Sequence, residues 1–140
     1  MPPPILLVLS TAYMTGIIWF VQIIHYPALS PPAAGSFPEQ HQHYTRQMGL
    51  LVGPVMLLEL ALQIRWLLQA PGLLSATGTL LLLLIWISTF TLQVPVHNTL
   101  TKNYNSARVR QLVRTNWIRT AGWTSRSLLL LFVYTSGTGA

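Results

Sequence analysis

His25, His41, His43 and His97 are the chain's four histidines, and each stands beside the end of a long apolar run. Neutral imidazole is a common metal or haem ligand, and facing helices of a bundle are usual places to build such sites. The set that best fits a bound metal or haem is His25, His97 and one of His41 or His43. His41 and His43 lie two residues apart, so on one helix their side chains point about 200° away from each other and do not readily share an ion. The spacings usual for zinc or di-iron helices, His-Glu-x-x-His and Glu-x-x-His, are absent. The plainer alternative is that interfacial imidazoles hydrogen-bond at the lipid headgroup level.

Glu59 and Arg126 raise a second kind of chemistry, because both interrupt apolar runs. An unpaired charge deep in hydrocarbon costs at least about 2.5–3.5 kcal/mol on insertion scales. Counting residues inward at about 1.5 Å each places both near one depth, which predicts a Glu59–Arg126 ion pair flanked by Thr15 and Trp86. Such a pair either handles protons or orients a substrate, or else fixes helix register as structural glue.

Other polar residues recur at helical spacing and predict the inward faces of four helices. They are Thr11, Thr15, Gln22 and His25; Glu59, Gln63 and Trp66; Trp86, Thr89, Gln93 and His97; and Asn116, Arg119, Trp123 and Arg126. Together Gln22, Glu59, Trp86, Gln93, Arg119 and Arg126 are expected to line one polar pocket. It would open to the cytoplasm, over an apolar floor made by the leucine-rich stretches 80–84 and 128–131. Trp66 and Trp117 suit interfacial aromatic belts, while Trp19, Trp86 and Trp123 fall deeper.

The elements that must position these residues follow from hydropathy. The 140 residues are 51% hydrophobic and only 7% charged, with a mean hydropathy of +0.49. Soluble domains carry about 25% charged residues, so lipid is expected to be the main solvent here. A hydrocarbon core of about 30 Å needs about 20 apolar residues in helix. Stretches at about 5–24, 48–68, 73–94 and 117–134 qualify, the last being the weakest because it holds Arg119 and Arg126. The first run lacks the basic lead of a signal peptide and contains Thr11, Thr15 and Gln22. The expected fold class is therefore all-α, an integral membrane four-helix bundle forming a single transmembrane domain over 1–140.

Two long loops, about 25–47 and 95–116, are expected in the cytoplasm. Lys102, Arg108, Arg110, Arg114 and Arg119 lie in or beside the second and Arg46 in the first, against Arg65 alone on the other side. The positive-inside rule then places both termini outside. Within the first loop Ser30-Pro31-Pro32-Ala33-Ala34-Gly35 reads as a turn, and Ser36 with Glu39 as a capping box that starts the second helix early. Pro54 should kink that helix, and Asn105-Ser106 should cap a basic helix running into the fourth span. The net charge of +6 is concentrated in this basic stretch, as topology signals are, so no nucleic-acid partner is expected. The chain has no cysteine, and no serine–histidine nucleophile motif or phosphate-cradling glycine loop is present.

Several segments resemble a family of small, functionally uncharacterised bacterial four-span membrane proteins. They are Trp19-Phe20-Val21-Gln22 with His25-Tyr26-Pro27, Phe37-Pro38 with His41, and Val52-Gly53-Pro54 with Glu59. Val94-Pro95-Val96-His97 and Thr115-Asn116-Trp117-Ile118-Arg119-Thr120 with Trp123 and Arg126 complete the set. A looser likeness, carried by Pro95-Val96-His97-Asn98, is to the anthrone-oxygenase-like membrane proteins. These resemblances imply a four-span fold in a bacterial inner membrane and polar residues kept inside it, and they imply no substrate.

Two functions remain open from the sequence. In one, the polar pocket binds a small hydrophobic ligand, metal or haem, with redox chemistry as one use. In the other, the chain is an accessory or scaffolding subunit of a larger respiratory or photosynthetic membrane complex, held by partner membrane subunits.

Overall fold

A computed structural model describes residues 1–29 and 37–138 of the chain. The described residues are helical apart from short connections, with no strand among them. The expected turn at residues 30–35 and the Ser36 cap lie outside the described residues. Helix α1 covers Ile5–Phe20 and passes into a π-helical turn at Val21–His25; α2 covers Phe37–Gln69. Helix α3 covers Leu73–Ser88 and passes through a second π-helical turn, Thr89–Gln93, into α4, Val94–Leu100; α5 covers Ser106–Thr138.

Local chemistry explains where these rods begin and end. Three prolines precede α1, and the Pro4 carbonyl takes up the N–H groups of Leu7 and Val8 at its open end. Pro71-Gly72 stops α2, and the Ser75 hydroxyl ties the turn by donating to the carbonyls of Ala70 (2.7 Å) and Gly72 (3.1 Å). Asn105 caps α5 as expected: its Oδ1 accepts from the backbone N–H of Ala107 (2.9 Å) and Arg108 (3.1 Å), two of the donors a helix start leaves open. Helix α2 starts at Phe37 and remains helical on both sides of Pro54.

One boundary differs from expectation. The third rod continues past residue 94, because α4 carries it on to Leu100, while α5 starts at Ser106 as the Asn105 cap implies. Pro95 sits in the first turn of α4, where its missing N–H costs little.

The four rods pack in a ring. Among the described residues α5 packs against α1, α3 and α4, and α2 against α1 and α3, while the backbones of the diagonal pairs α1–α3 and α2–α5 stay apart. Chain ends collect at one end of the ring: the Met1 carbonyl accepts from Trp66 Nε1 at 3.3 Å, and Gly137 lies against Pro2. Neighbouring rods therefore run antiparallel. Helices α3 and α5 approach closely at Gly122, where a Cβ would stand 2.8 Å from Ile85 Cγ1.

The distribution of polarity is the reverse of a soluble domain's. Glu59, Gln63, Asn116 and Arg126 are fully buried, whereas Leu80, Ile87, Leu128 and Phe132 are more than half exposed. Three helical stretches, Ile5–His25, Phe37–Gln69 and Leu73–Leu100, are long and apolar enough to cross a membrane. The fourth rod, α5, is as long as α2, but its arginines lower its hydropathy. Two of them, Arg119 and Arg126, are buried against the other rods.

Candidate functional site

Each rod turns its polar stripe inward, and the stripes meet in separate layers. The layer nearer the chain termini is built on Glu59 and Arg126. Their closest approach, Arg126 Nε to Glu59 Oε1, is 3.9 Å, and both side chains are fully buried. The expected pair is thus present, but at a separation longer than a hydrogen bond. Thr11, not Thr15, donates to Glu59 Oε1. Thr15 lies one turn further along α1 and instead meets the Thr11 and Trp123 carbonyls and Ser127 Oγ. Arg126 Nη1 donates to Gln63 Oε1 (2.8 Å) and to the Gly78 carbonyl (2.7 Å). Gln63 in turn donates to the Ser75 carbonyl (3.1 Å) and Thr79 Oγ1 (3.0 Å). Glu59 Oε2 and Arg126 Nε and Nη2 are buried in this cluster without a hydrogen-bond partner.

A second layer joins the first and fourth rods. Asn116 Nδ2 donates to Gln22 Oε1 (2.9 Å), Gln22 Nε2 to the Val113 carbonyl (3.1 Å), and Arg119 Nη1 to Asn116 Oδ1 (3.2 Å).

The third layer encloses space. A cavity of about 250 Å³ lies among the first, second and third rods. Its apolar side is Met14, Ile17, Ile18, Val21, Met48 and Val52, and its polar end is Tyr26, Tyr44, Gln93, His97, Asn98 and Arg119. Two polar-end atoms, the Tyr44 hydroxyl and Arg119 Nε, are buried and have no hydrogen-bond partner. A donor in that state costs roughly 1–3 kcal/mol, more when charged, so the cavity favours an acceptor that takes up both.

The two π-helical turns set this end of the ring. In the first, Tyr26 N–H reaches the Val21 carbonyl at 2.9 Å, five residues back; in the second, Val94 N–H reaches Thr89. As a result Val21 and Tyr26 are both buried, as are Ser88 and Gln93, although each pair is five residues apart. Such turns are frequent at functional sites. A proline follows each at the same offset, Pro27 and Pro95, where the wider turn gives the ring room against the preceding carbonyls.

Of the six residues expected to share one pocket, Gln93 and Arg119 line the cavity. Gln22 is bonded to Asn116 beside it, and Glu59 and Arg126 form the separate cluster nearer the chain termini. Trp86 is half-buried, lies tilted against Phe90 (5.6 Å between ring centres) and leaves its Nε1 without a partner.

The expected histidine set is likewise divided. His41 Nε2 and His97 Nδ1 are hydrogen-bonded to each other at 3.0 Å, and His97 Nε2 is bonded to the Tyr26 hydroxyl at 3.0 Å. His25 stacks on Tyr44 with ring centres 3.6 Å apart. His43 is exposed, on the opposite face of α2 from His41, as the 200° separation requires. Among the described residues no three of His, Cys, Asp and Glu stand close enough to hold a metal ion.

The tryptophans also redistribute. Trp66 is buried with its Nε1 on the Met1 carbonyl, whereas Trp19 lies on the outer surface, edge-on to Trp117 at 5.7 Å. Tyr26 and Tyr44 were passed over by the sequence reading, because tyrosine is neutral and common at membrane interfaces. The spacing of Tyr44 one turn after His41 was the available signal. No family model, curated protein or solved structure matches the chain.

Proposed function

We propose that the chain is an integral membrane four-helix bundle that binds a small amphipathic molecule in the cavity between Tyr44 and Arg119. The ligand has an apolar, ring-sized body and one anionic or carbonyl oxygen. Its body fits the Met14–Val52 side of the cavity, and its oxygen accepts from Tyr44 and Arg119. The observation that carries this reading is the pair of buried, unpartnered donors at the end of an apolar cavity.

In this reading α5 is the fourth span, its arginines tolerated because they face the other helices. Lys102, Arg108, Arg110 and Arg114 are exposed around the α4–α5 connection, which supports placing the cavity end in the cytoplasm and both termini outside. The segments resembling the small four-span family contribute Tyr26, His97 and Arg119 to the cavity's polar end. A metal or haem fits less well, because His41 and His97 spend ring nitrogens on each other and on Tyr26.

The test uses the full chain in lipid nanodiscs with 2-naphthoate and its uncharged analogue 2-methylnaphthalene. Naphthoate should bind, and Arg119→Met should weaken it by about 10- to 100-fold, the worth of a buried charged hydrogen bond, while leaving methylnaphthalene binding unchanged. Equal losses for both probes would show that Arg119 shapes the cavity without reading the oxygen. No binding of either probe by the wild type would sink the ligand reading and move weight to an accessory subunit held by partner membrane proteins.

A further inference from the structure

Beyond ligand binding, we propose that His41, His97 and Tyr26 form a proton relay that leads from the cytoplasmic face into the cavity and protonates the bound ligand's oxygen. The inference rests on the ligand reading above and adds a direction of proton flow to it.

The relay is continuous in space and crosses three rods. His41 Nε2 meets His97 Nδ1 at 3.0 Å, His97 Nε2 meets the Tyr26 hydroxyl at 3.0 Å, and Tyr26 donates to Gln93 Oε1 at 3.3 Å. Its two ends open on different spaces. Tyr26 and His97 line the ligand cavity. His41 lines a second cavity of about 220 Å³ whose walls include the exposed residues Ala28 and Gln40, and its Nδ1 is buried there without a partner. Groups facing the relay are Arg119 from α5, Tyr44 from α2 and His25 from the first rod. Arg119 also hydrogen-bonds the Tyr26 oxygen, which leaves the hydroxyl proton free to be passed on.

Hydrogen positions follow from the bonding, and two neutral arrangements satisfy it. In one, His41 Nε2–H donates to His97 Nδ1, His97 Nε2–H to the Tyr26 oxygen, and Tyr26 O–H to Gln93. In the other, His41 holds its proton on Nδ1, His97 Nδ1–H donates to His41 Nε2, and Tyr26 O–H donates to His97 Nε2. Passing from the first to the second moves one proton through the chain. Water gives a proton to His41 Nδ1, and the Nε2 proton crosses to His97 Nδ1. The His97 Nε2 proton then crosses to Tyr26, whose own hydroxyl proton leaves for the ligand oxygen. Each relay group ends with the charge it began with, and hydroxyl rotation with ring tautomerisation resets the chain.

Two measurements on the full chain in nanodiscs test the relay. The first is ¹⁵N spectroscopy of labelled histidine in ligand-free protein, between about pH 5 and pH 8, where imidazole exchange is legible. The relay requires His41 and His97 to sample both neutral tautomers; one fixed tautomer at each ring overturns it. The second follows protonation of bound 2-naphtholate after a rapid drop in pH. His41→Phe should slow it by about 100-fold or more, the usual worth of a positioned acid–base group, at unchanged probe affinity, and His43→Phe should leave it alone. Equal rates in wild type and His41→Phe overturn the relay even when the probe binds. A probe that fails to bind counts against the ligand reading only, and the tautomer measurement then decides the relay by itself.

Discussion

Helix α5 carries two buried arginines seven residues apart, and their surroundings differ in kind. Around Arg126, Glu59 faces it at 3.9 Å, and Gln63 and the Gly78 carbonyl accept from the same Nη1, while its Nε and Nη2 are buried without a hydrogen-bond partner. Around Arg119 the protein supplies Asn116 and the Tyr26 hydroxyl, with a cavity beside them. Burial and charge are alike at the two places, so neither separates a structural ion from a binding one. Both also keep donors without a partner, and what separates them is the cavity that Arg119 alone of the two lines.

The sharpest way to break this comparison is at the Glu59–Arg126 cluster. Arg126→Met alone strands Glu59 and should cost about 3–5 kcal/mol, whereas the double variant Glu59→Leu, Arg126→Met should regain most of that loss. Reversible unfolding in mixed micelles reads both. A double variant as unstable as the single one would give the pair a role beyond glue. Next in size, Gly122→Ala forces a Cβ to within 2.8 Å of Ile85 and should cost about 1–3 kcal/mol by overpacking. In an Ile85→Ala background the same change should cost little, since the Cγ1 that the new Cβ would meet is gone.

Smaller again, Asn105→Ala removes the α5 cap and should cost about 1 kcal/mol. Hydrogen exchange should then rise at the cavity end of α5, around Arg108–Leu112, and not beside Arg126. Uniform exchange along α5 would mean the two arginine regions unfold as one. The smallest stability change is expected of Tyr44→Phe, which deletes a buried hydroxyl that has no partner. Stability should stay within about 0.5 kcal/mol of wild type, as for changes that break no bond, while naphthoate affinity falls.

Much of the helix plan was legible because lipid-facing and inward positions follow hydropathy and helical spacing. The inward stripe Asn116, Arg119, Trp123 and Arg126 is buried as the spacing implied, and the Glu59–Arg126 pairing followed from the cost of a lone charge. Which part of the polar interior borders a cavity was not legible. Depth was counted on regular helices, and the rise per residue does not say which layer is hollow. The extension of the third rod through Val96-His97 to Leu100 was hidden by Pro95, a residue that usually signals a helix boundary. His41 was one of two equal choices in sequence; only the α4 packing selects it over His43.

The π-helical turns at Val21–His25 and Thr89–Gln93 have a bearing on how this chain is to be compared with others. Each holds one residue more than the regular helix around it would need, so the inward phase shifts by about 100° on passing through. Deleting one residue from either would restore even winding and rotate everything beyond it. Tyr26 or His97 would swing away from the cavity, while the half of the rod nearer the chain termini would keep its contacts. A distant relative without these turns would share the phase of the Arg126 half and lose that of the Arg119 half. Matching the two would take a one-residue gap at both places, and ungapped comparison would align the scaffold while misplacing the site.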